Sequence, residues 1–421
     1  MGTFSDQVII NEEIKGVKTY VMPTGVKDVV TISGSMLGGS IHCAGKNSKV
    51  SSLVASMLDK GTEKKNKYEI SDMLESVGAE LNFSSTRYHT HFTGFCLKNN
   101  LETVVSLLAE QLTTPRFSTE ELSTLQGRIT GNLIRDKENT KKLAMIQFLR
   151  TLFPRNHPNY QATIDESVES VKKASVKDLF AFHKEHYGLG SIKIAAAGDV
   201  KAEALNGLLL EAMKDWKNKK TNIPKITEKA IKPKKGSQTI KVQDKTSADL
   251  YIGQSIGINR EHKDYYPLML GVYILGGNFS ARLMQTVRDK QGLTYGIGSS
   301  ISGVSFGADG YWSTWGTFSP DILKKGVGAT KDQINLWFDK GVTEEELSAK
   351  KTTINGSYKV SMDSTSGLTS KILSNAEQGR DLLYLDEYPK IIDAISLSEV
   401  NTAIKNHVDP EKLYMVSAGT L

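Results

Sequence analysis

The sequence predicts an α+β fold of two homologous domains, each a mainly antiparallel β-sheet with helices packed on one face, arranged as a clamshell. The chain has 421 residues, too many for one ordinary hydrophobic core. The same order of elements occurs twice, and in each half β-rich segments come first and helical segments follow. We therefore place the domains at 1–219 and 237–421, joined by a lysine-rich linker at 220–236.

The repeat is clearest in the helical segments. FSTEELSTLQGRITGNLI at 117–134 recurs as VTEEELSAKKTTINGSYK at 342–359, and each opens with a threonine and glutamates that suit a helix N-terminus. Each half then reaches a second predicted helix, at 175–187 and 396–408, and closes on a β-rich segment. The early part of each half is rich in Val, Ile, Thr and Tyr and predicts strands. We interpret this order as a duplication.

Composition places the chain among soluble globular proteins. Hydrophobic residues make up 39% and charged residues 24%, and the mean hydropathy is −0.31. No segment approaches the roughly 18 continuous apolar residues that a membrane helix needs. The N-terminus lacks the basic start and apolar core of a secretion signal, which leaves the compartment open.

The positive charge of the chain is concentrated in the linker region. Nine lysines lie between Lys214 and Lys235 against two acidic residues, a local charge of +7 in a chain whose formal charge is +6. A basic segment that also contains Pro and Gly and few apolar residues is typical of a solvated linker. We therefore expect no nucleic-acid partner. The two cysteines, Cys43 and Cys96, lack metal-ligand spacing and are expected to be packing residues.

A helix is predicted over SSLVASMLDKGT, residues 51–62. Its apolar residues recur at helical spacing and define a core-facing side, and Gly61 is expected to end it. The opposite side carries Ser52, Ala55 and Ser56, at the spacing by which a helix presents groups to one point in space. These side chains are small and offer almost no chemistry.

The string ILGGNFSARLMQTVRDKQGLTYGIGSS, residues 274–300, is the most informative in the chain. A Gly-Gly-Asn turn leads to Ser280, the predicted N-cap of a helix that Gly292 stops before a strand. Arg288 then lies in the last helical turn and Tyr295 at the start of the strand, so the turn can bring them together. The inward-facing residues of this helix are Leu283, Met284 and Val287.

This string resembles the zinc peptidases of the pitrilysin and insulinase type, most closely the subfamily of mitochondrial processing peptidase and its small bacterial relatives. Their second domain carries a glycine turn, a Ser-x-Arg-Leu helix start and an R-x-x-x-G-L-x-Y motif. The first half resembles the same family in MLDKGT, LESVGAELNFSSTRY, TPRFSTEEL, HPNY and AAAGDV, so the resemblance covers nearly the whole chain. The matching motif residues are Ser280, Arg282, Leu283, Arg288, Gly292, Leu293 and Tyr295.

The resemblance implies that the zinc site of this chain is degenerate. In active relatives the 51–62 segment resembles H-x-x-E-H, in which two histidines bind zinc and the glutamate is the general base. Ser52 and Ser56 stand in place of the histidines, Ala55 in place of the glutamate, and Asn132 in place of a further glutamate ligand. Hydroxyl and amide groups are poor zinc ligands and alanine moves no proton. We therefore expect no cofactor, and no catalytic zinc, in this chain.

The resemblance also implies a division of labour. In some bacterial members the site is shared between two homologous chains, one with the zinc helix and one with the Arg and Tyr, and this chain looks like the second kind. Arg288 and Tyr295 would then act on an unfolded peptide held at the zinc of a partner subunit, and the chain alone would be inactive. Its compartment would be the bacterial periplasm if a signal peptide was removed, and otherwise the cytoplasm.

The main alternative is a non-catalytic scaffold or peptide-binding protein of the same fold, resembling the respiratory-complex core subunits. A pure scaffold would have no chemical reason to keep Arg288 and Tyr295. The glycine-rich companion subunit of mitochondrial processing peptidase is a third resemblance, but the long glycine loop of that subunit is missing from this sequence.

Other candidate sites carry weaker signals. His89 and His91 lie on one face of a predicted strand and could bind a metal with a third ligand, which the sequence does not identify. His183 and His186 lie near a helix end and are expected to be structural. The acidic residues beside the degenerate zinc positions, which could hold a hard cation, are Asp59 and Asp136.

Overall fold

A computed structural model of the chain describes residues 3–43, 45–217, 219 and 221–420. These residues divide into two compact units, each assembled from segments of both sequence halves. The first unit comprises Met1–Thr130, Glu169–Lys225 and Ser357–Pro389. The second unit comprises Gly131–Val168, Ile226–Gly356 and Lys390–Leu421.

The strands alternate with long helical regions along the chain. The strands are β1 Ile9–Asn11, β2 Val17–Pro23, β3 Val29–Leu37, β4 Glu80–Ser85, β5 His89–Leu97, β6 Ile192–Gly198, β7 Gly236–Lys241, β8 Ala248–Ser255, β9 Gly296–Ser302, β10 Tyr311–Phe318 and β11 Tyr414–Gly419. The helices are α1 Val50–Met57, α2 Lys67–Glu75, α3 Leu101–Thr113, α4 Thr119–Asp136, α5 Thr140–Leu152, α6 Ile164–Lys173, α7 Val176–His186, α8 Ala202–Met213, α9 Tyr265–Gly276, α10 Leu323–Lys340, α11 Glu344–Val360, α12 Thr365–Glu377, α13 Tyr384–Ala394 and α14 Leu397–His407. A π-helical segment, Met284–Lys290, lies between α9 and β9.

The two units contain sheets of the same topology, except that the first has an additional edge strand, β1. In the first unit the strand order is β1-β2-β6-β3-β5-β4, and in the second it is β7-β11-β8-β10-β9. The pairs β2–β6 and β7–β11 are parallel, and the other neighbouring strands are antiparallel. The mainly antiparallel sheets are therefore as predicted, and the order shows that the sequence repeat is also a structural repeat.

Helices cover both faces of the sheet in the first unit, whereas the sequence predicted helices on one face. On β6, Ile194 and Ala196 face a core formed with α1, α3, α7 and α8, while Ala195 and Ala197 face a second core formed with α12. All four side chains are buried. The alternation expected of a half-exposed strand is replaced by an apolar run, the pattern of a strand buried on both sides.

The second unit is built in the same way. Helix α5, from the N-terminal half of the sequence, packs on β8 and β11, where Phe148 contacts a core that includes Tyr251 and Val416. Helix α9 packs on β9 and on α14. Each sheet is thus covered on one face by a helix that comes from the other half of the chain.

This exchange explains why the compact units differ from the predicted domains at 1–219 and 237–421. Those boundaries follow the linear repeat, whereas α12 and α5 each belong to the unit of the opposite half. In the predicted 220–236 linker, residues 221–235 form neither helix nor strand, and Gly236 begins β7. Residues 1, 2, 44, 218, 220 and 421 of the predicted segments lie outside the described residues.

Candidate functional site

Helix α1 carries the positions at which the resemblance implies a zinc motif. Leu53, one of its core-facing residues, is fully buried, and Gly61 ends the helical region with a φ of 134°. On the other side the Ser52 hydroxyl donates a hydrogen bond to the carbonyl oxygen of Lys49 at 2.9 Å, and Ala55 is 1% exposed. Helix α1 ends at Met57 and is followed by a 3₁₀ turn at Leu58–Lys60, so the core-facing side and the end at Gly61 are as predicted, and the side chains at the motif positions are hydroxyl and methyl groups.

The fourth position, Asn132, lies on α4. Its amide oxygen accepts a hydrogen bond from the guanidinium of Arg135, three residues further along the same helix. Zinc in proteins is bound by cysteine sulfur, histidine nitrogen or carboxylate oxygen. The hydroxyls of Ser52 and Ser56, the methyl group of Ala55 and the amide of Asn132 do not fit that requirement.

The 274–300 string folds as the end of α9, a turn, the π-helical segment and β9. Leu283 and Val287 are fully buried, which confirms the predicted inward face, and Gly292 ends the segment with a φ of 62°. The segment is π-helical at Met284–Lys290, where the sequence predicted an ordinary helix. Single π-helical turns of this kind are frequent at functional sites.

Arg288, whose side chain is 35% exposed and pairs with Asp289 at 3.5 Å, lies near two exposed aromatic rings. The central carbon of its guanidinium is 5.9 Å from the ring centroid of Tyr295 and 5.9 Å from that of Phe279. Tyr295 is 90% exposed and Phe279 is 78% exposed. The structure therefore brings Arg288 and Tyr295 together and adds Phe279, which the sequence analysis missed. We call these three residues the exposed triad.

The signal for Phe279 was its position in the glycine turn. This aromatic residue lies in the turn next to the arginine motif in the sequence. Burial of apolar side chains is the usual source of stability, so an exposed aromatic ring beside a guanidinium is informative.

Helix α11 forms hydrogen bonds with the turn that contains Phe279 of the exposed triad. Lys350, which is 6% exposed, donates hydrogen bonds to Asn278 Oδ1 at 3.0 Å, Ser280 O at 2.9 Å and Ser280 Oγ at 2.6 Å. Burial lowers the pKa of Lys350, and the carboxylate of Glu346 partly opposes that effect. The predicted role of Ser280 as an N-cap is wrong, because no backbone N–H of the described residues donates to its hydroxyl, which contacts Lys350 and Asn278 instead.

A second contact from α11 holds the arginine of the Ser-x-Arg-Leu motif. Glu346 accepts hydrogen bonds from Arg282 Nε and Nη2, each at 2.6 Å, and Arg282 Nη2 also donates to Gly341 O at 2.9 Å. Burial raises the pKa of Glu346, but the hydrogen bonds from Arg282 and Thr343 outweigh it and hold the pKa below its usual value. This bidentate pair fixes the start of the π-helical region.

Three other residues considered in the sequence are structural: His183, Cys43 and Cys96. His183 Nε2 lies 2.8 Å from the carbonyl oxygen of Leu112, and burial lowers the pKa of His183 to about 4. Cys43 and Cys96 are buried free thiols, as expected. Among the described residues, no helix is both long enough and apolar enough to cross a bilayer.

Comparison with known proteins assigns the family. Residues 24–163 match the family profile described as "Insulinase (Peptidase family M16)", and residues 173–354 match the profile described as "Peptidase M16 inactive domain". The chain belongs to the insulinase, or M16, family of peptidases and their homologues. The family predicted from the motifs is thereby confirmed.

Two relatives are similar to this M16 chain over most of their length. "Non-peptidase homolog YmxG" of Helicobacter pylori is 25% identical over 361 residues, which cover 85% of this chain and 81% of that protein. "Uncharacterized zinc protease YmxG" of Bacillus subtilis is 23% identical over 403 residues, which cover 91% and 94%. Proteins named as peptidases and as non-peptidases are therefore both among its relatives.

A solved structure has the same fold. The crystal structure of a peptidase M16 inactive domain from Pseudomonas fluorescens superposes with a TM-score of 0.89 at 24% identity and covers 98% of both chains. The α+β fold predicted for this M16 chain is confirmed.

Proposed function

We propose that this M16 chain is the zinc-less subunit of a heterodimeric zinc metalloendopeptidase that acts on unfolded peptides. In this proposal a homologous subunit holds the zinc, and Arg288 and Tyr295 of this chain complete its site. The chain alone has no peptidase activity. The observation that carries the proposal is the exposed triad, in which a partly exposed guanidinium lies beside an exposed phenol on a turn that α11 contacts.

The loss of the zinc motif supports the first half of the proposal. Ser52, Ala55, Ser56 and Asn132 provide neither metal ligands nor a general base, so this chain cannot activate water by the family's mechanism. The similarity to a protein named as a non-peptidase homologue agrees with this.

The chemistry of the exposed triad supports the second half. A guanidinium and a phenol both donate hydrogen bonds, and within the described residues the Tyr295 hydroxyl has no hydrogen-bond partner of its own. Such donors stabilise the oxyanion that forms when a peptide carbonyl is attacked, and their effect is largest as the charge develops. The role of this chain is then to place two donors at the scissile carbonyl.

Reconstitution tests the proposal. The chain is mixed with its zinc-bearing homologue from the same genome, and cleavage of a peptide library is measured. The double variant Arg288→Ala, Tyr295→Phe should lower kcat/KM by about 100-fold or more while complex formation is retained. Gln285→Ala, an exposed change in the same π-helical segment, is the matched control and should leave activity unchanged.

Two results would contradict the proposal. Full activity of the double variant would remove the catalytic role of Arg288 and Tyr295. Chelator-sensitive cleavage by the chain alone would show a metal site that Ser52 and Ser56 cannot supply.

The alternative is a non-catalytic scaffold or peptide-binding protein of the same fold. The degenerate positions on α1 agree with it equally well. A complex that forms with the homologue and binds peptides, but whose activity does not depend on this chain, would favour the scaffold.

A further inference from the structure

A cluster of two histidines and a glutamate lies in the first unit, whereas Arg288 and Tyr295 belong to the second. His89 and His91 lie at the start of β5, on the same face of the strand. Glu377 is the last residue of α12, 286 residues beyond His91 in the sequence. The sequence identified the two histidines but no third ligand, and in the folded chain Glu377 lies beside them.

The geometry of the cluster suits a metal ion. One ligand atom from each of His89, His91 and Glu377 lies within 4.8 Å of the other two, and His91 Nε2 is 2.8 Å from Glu377 Oε1. Zinc bonds of about 2.1 Å in a tetrahedral site separate the ligand atoms by roughly 3.4 Å. Small rotations of the imidazole and carboxylate groups provide that spacing.

Rigid elements hold the three side chains. In the sheet, His89 pairs with Leu37 and His91 with Ser35, both on β3. Helix α12 packs on β3 and β6 through a buried core, and the hydroxyls of Ser33 and Thr369 form a buried hydrogen bond of 2.8 Å between β3 and α12. The third ligand is therefore fixed relative to the first two before any metal binds, as a preorganised site requires.

One cation lies near the cluster. The ammonium of Lys193, on β6, donates a hydrogen bond to the carbonyl oxygen of Ala376, the residue before Glu377. A divalent ion at the cluster is repelled by this charge. Removing it should therefore tighten metal binding, an effect that loss of an ordinary packing residue would not produce.

We propose that His89, His91 and Glu377 form a metal site for Zn²⁺ that ties the end of α12 to β5. Two imidazoles and a carboxylate are a common zinc ligand set, with water in the fourth position. His91 and Glu377 are partly exposed, at 24% and 14% of their side-chain surfaces, which leaves a path for the ion. Because it binds the folded chain, the ion should stabilise the first unit.

A second group of possible ligands needs a control. His262, Asp264 and His407 also lie within ligand distance of one another, in the second unit. His407→Gln removes one of these ligands and serves as the background in which the proposed site is measured.

The test uses the full chain, freed of metal by chelator and titrated with ZnCl₂ by calorimetry and by thermal unfolding. In the His407→Gln background we expect one Zn²⁺ per chain and a rise in Tm on binding. Adding His91→Gln and Glu377→Gln together should weaken binding at least 10-fold and abolish the rise in Tm. Lys193→Met should strengthen binding several-fold.

The proposal fails if the His407→Gln chain takes up no zinc. It also fails if zinc binds equally well after His91→Gln and Glu377→Gln in a chain whose circular dichroism shows it to be folded. If each glutamine variant weakens zinc binding but Lys193→Met does not tighten it, the ion is not adjacent to Lys193, and the proposed position is wrong.

Discussion

At the scale of single residues, a contribution to stability does not explain the position of Phe279. Its ring is 78% exposed and lies 5.9 Å from the guanidinium carbon of Arg288. If it orients Arg288 and contacts the peptide, Phe279→Ala should lower kcat/KM of the reconstituted peptidase by about 5-fold, the equivalent of one exposed cation–aromatic contact. The free energy of unfolding should change by less than about 0.5 kcal/mol, because little surface is buried.

The control for Phe279 is another exposed apolar residue of the same unit. Leu336, on α10, is 47% exposed, and Leu336→Ala should change neither activity nor stability. A large loss of Tm in Phe279→Ala with unchanged kcat/KM would show that the ring serves the fold instead of the reaction.

A second prediction at this scale concerns pH. Burial lowers the pKa of His183 to about 4, although its hydrogen bond to Leu112 O opposes the effect, whereas the unfolded chain should have a histidine pKa near 6.5. Between these values the unfolded state binds the additional proton. The contribution of neutral His183 is thus complete above pH 6.5 and is lost as the pH falls toward 4, by up to about 3 kcal/mol.

Urea unfolding of the chain and of His183→Gln between pH 7.5 and 4.5 measures this effect. The variant should lose less stability on acidification than the parent chain. His262→Gln, a change at an exposed histidine, should keep the slope of the parent. Equal slopes for the parent and His183→Gln would contradict the prediction.

Residue-level prediction from sequence succeeded where the signal was local. Arg288 and Tyr295 are seven residues apart, so the turn between them determines their proximity. Glu377 is 286 residues from His91, and no periodicity connects the two. Lys350 and Glu346 appeared only as polar residues of a repeated helix, because their contacts to the turn are 64 to 72 residues away in sequence.

At the scale of elements, the contact between α11 and the glycine turn leads to a testable prediction. Lys350→Met removes three hydrogen bonds from Asn278 and Ser280, and leaves their acceptors without the buried donor. We expect a loss of about 1–3 kcal/mol in stability. Because the turn positions the exposed triad, kcat of the reconstituted peptidase should fall about 10-fold with little change in KM.

Lys350→Arg is the matched variant, since it keeps the charge and several donors, and it should recover part of kcat. A merely structural lysine would lower the Tm without changing kcat at a temperature where the variant remains folded. That outcome would show that the contact between Lys350 and the turn contributes to stability but not to peptide cleavage.

Elements were predictable where the repeat supplied two copies. Helices were predicted to begin at Ser175 and at Ser396, and both residues form capping boxes. Their acidic partners are Asp178 and Glu399. Strand order was not predictable, because β6 enters the sheet between β2 and β3 from more than 150 residues away. The π-helical segment was also missed, since its sequence spacing resembles that of an ordinary helix.

At the scale of the whole molecule, the exchange of segments between sequence halves has a mechanical consequence. Each unit contains a helix from the other half, so the polypeptide halves are interlocked although their repeat is linear. The sequence could not predict this exchange, because the amphipathic patterns of α12 and α5 show only that each helix has an apolar face. They do not show which of the two sheets that face covers.

The exchange predicts how the chain behaves when it is cut. A protease site inserted after Lys225, where the compact units change, allows cleavage into fragments 1–225 and 226–421. The cleaved chain should elute as one particle, because α12 stays packed on the first sheet and α5 on the second. A fully buried side chain such as Ile372 contributes about 1.5–3 kcal/mol, and several of them together approach the total stability of a domain.

Fragment 1–225 made alone should behave differently. Without α12 it exposes the face of its sheet that carries Tyr20, Met22, Ala195 and Ala197, so we expect it to aggregate and to bind hydrophobic dyes. Adding a peptide of residues 357–389 should restore a cooperative unfolding transition, because that segment completes the first unit. Two cleaved fragments that separate on gel filtration and each unfold cooperatively would show that the halves fold independently, and that the exchanged helices are dispensable.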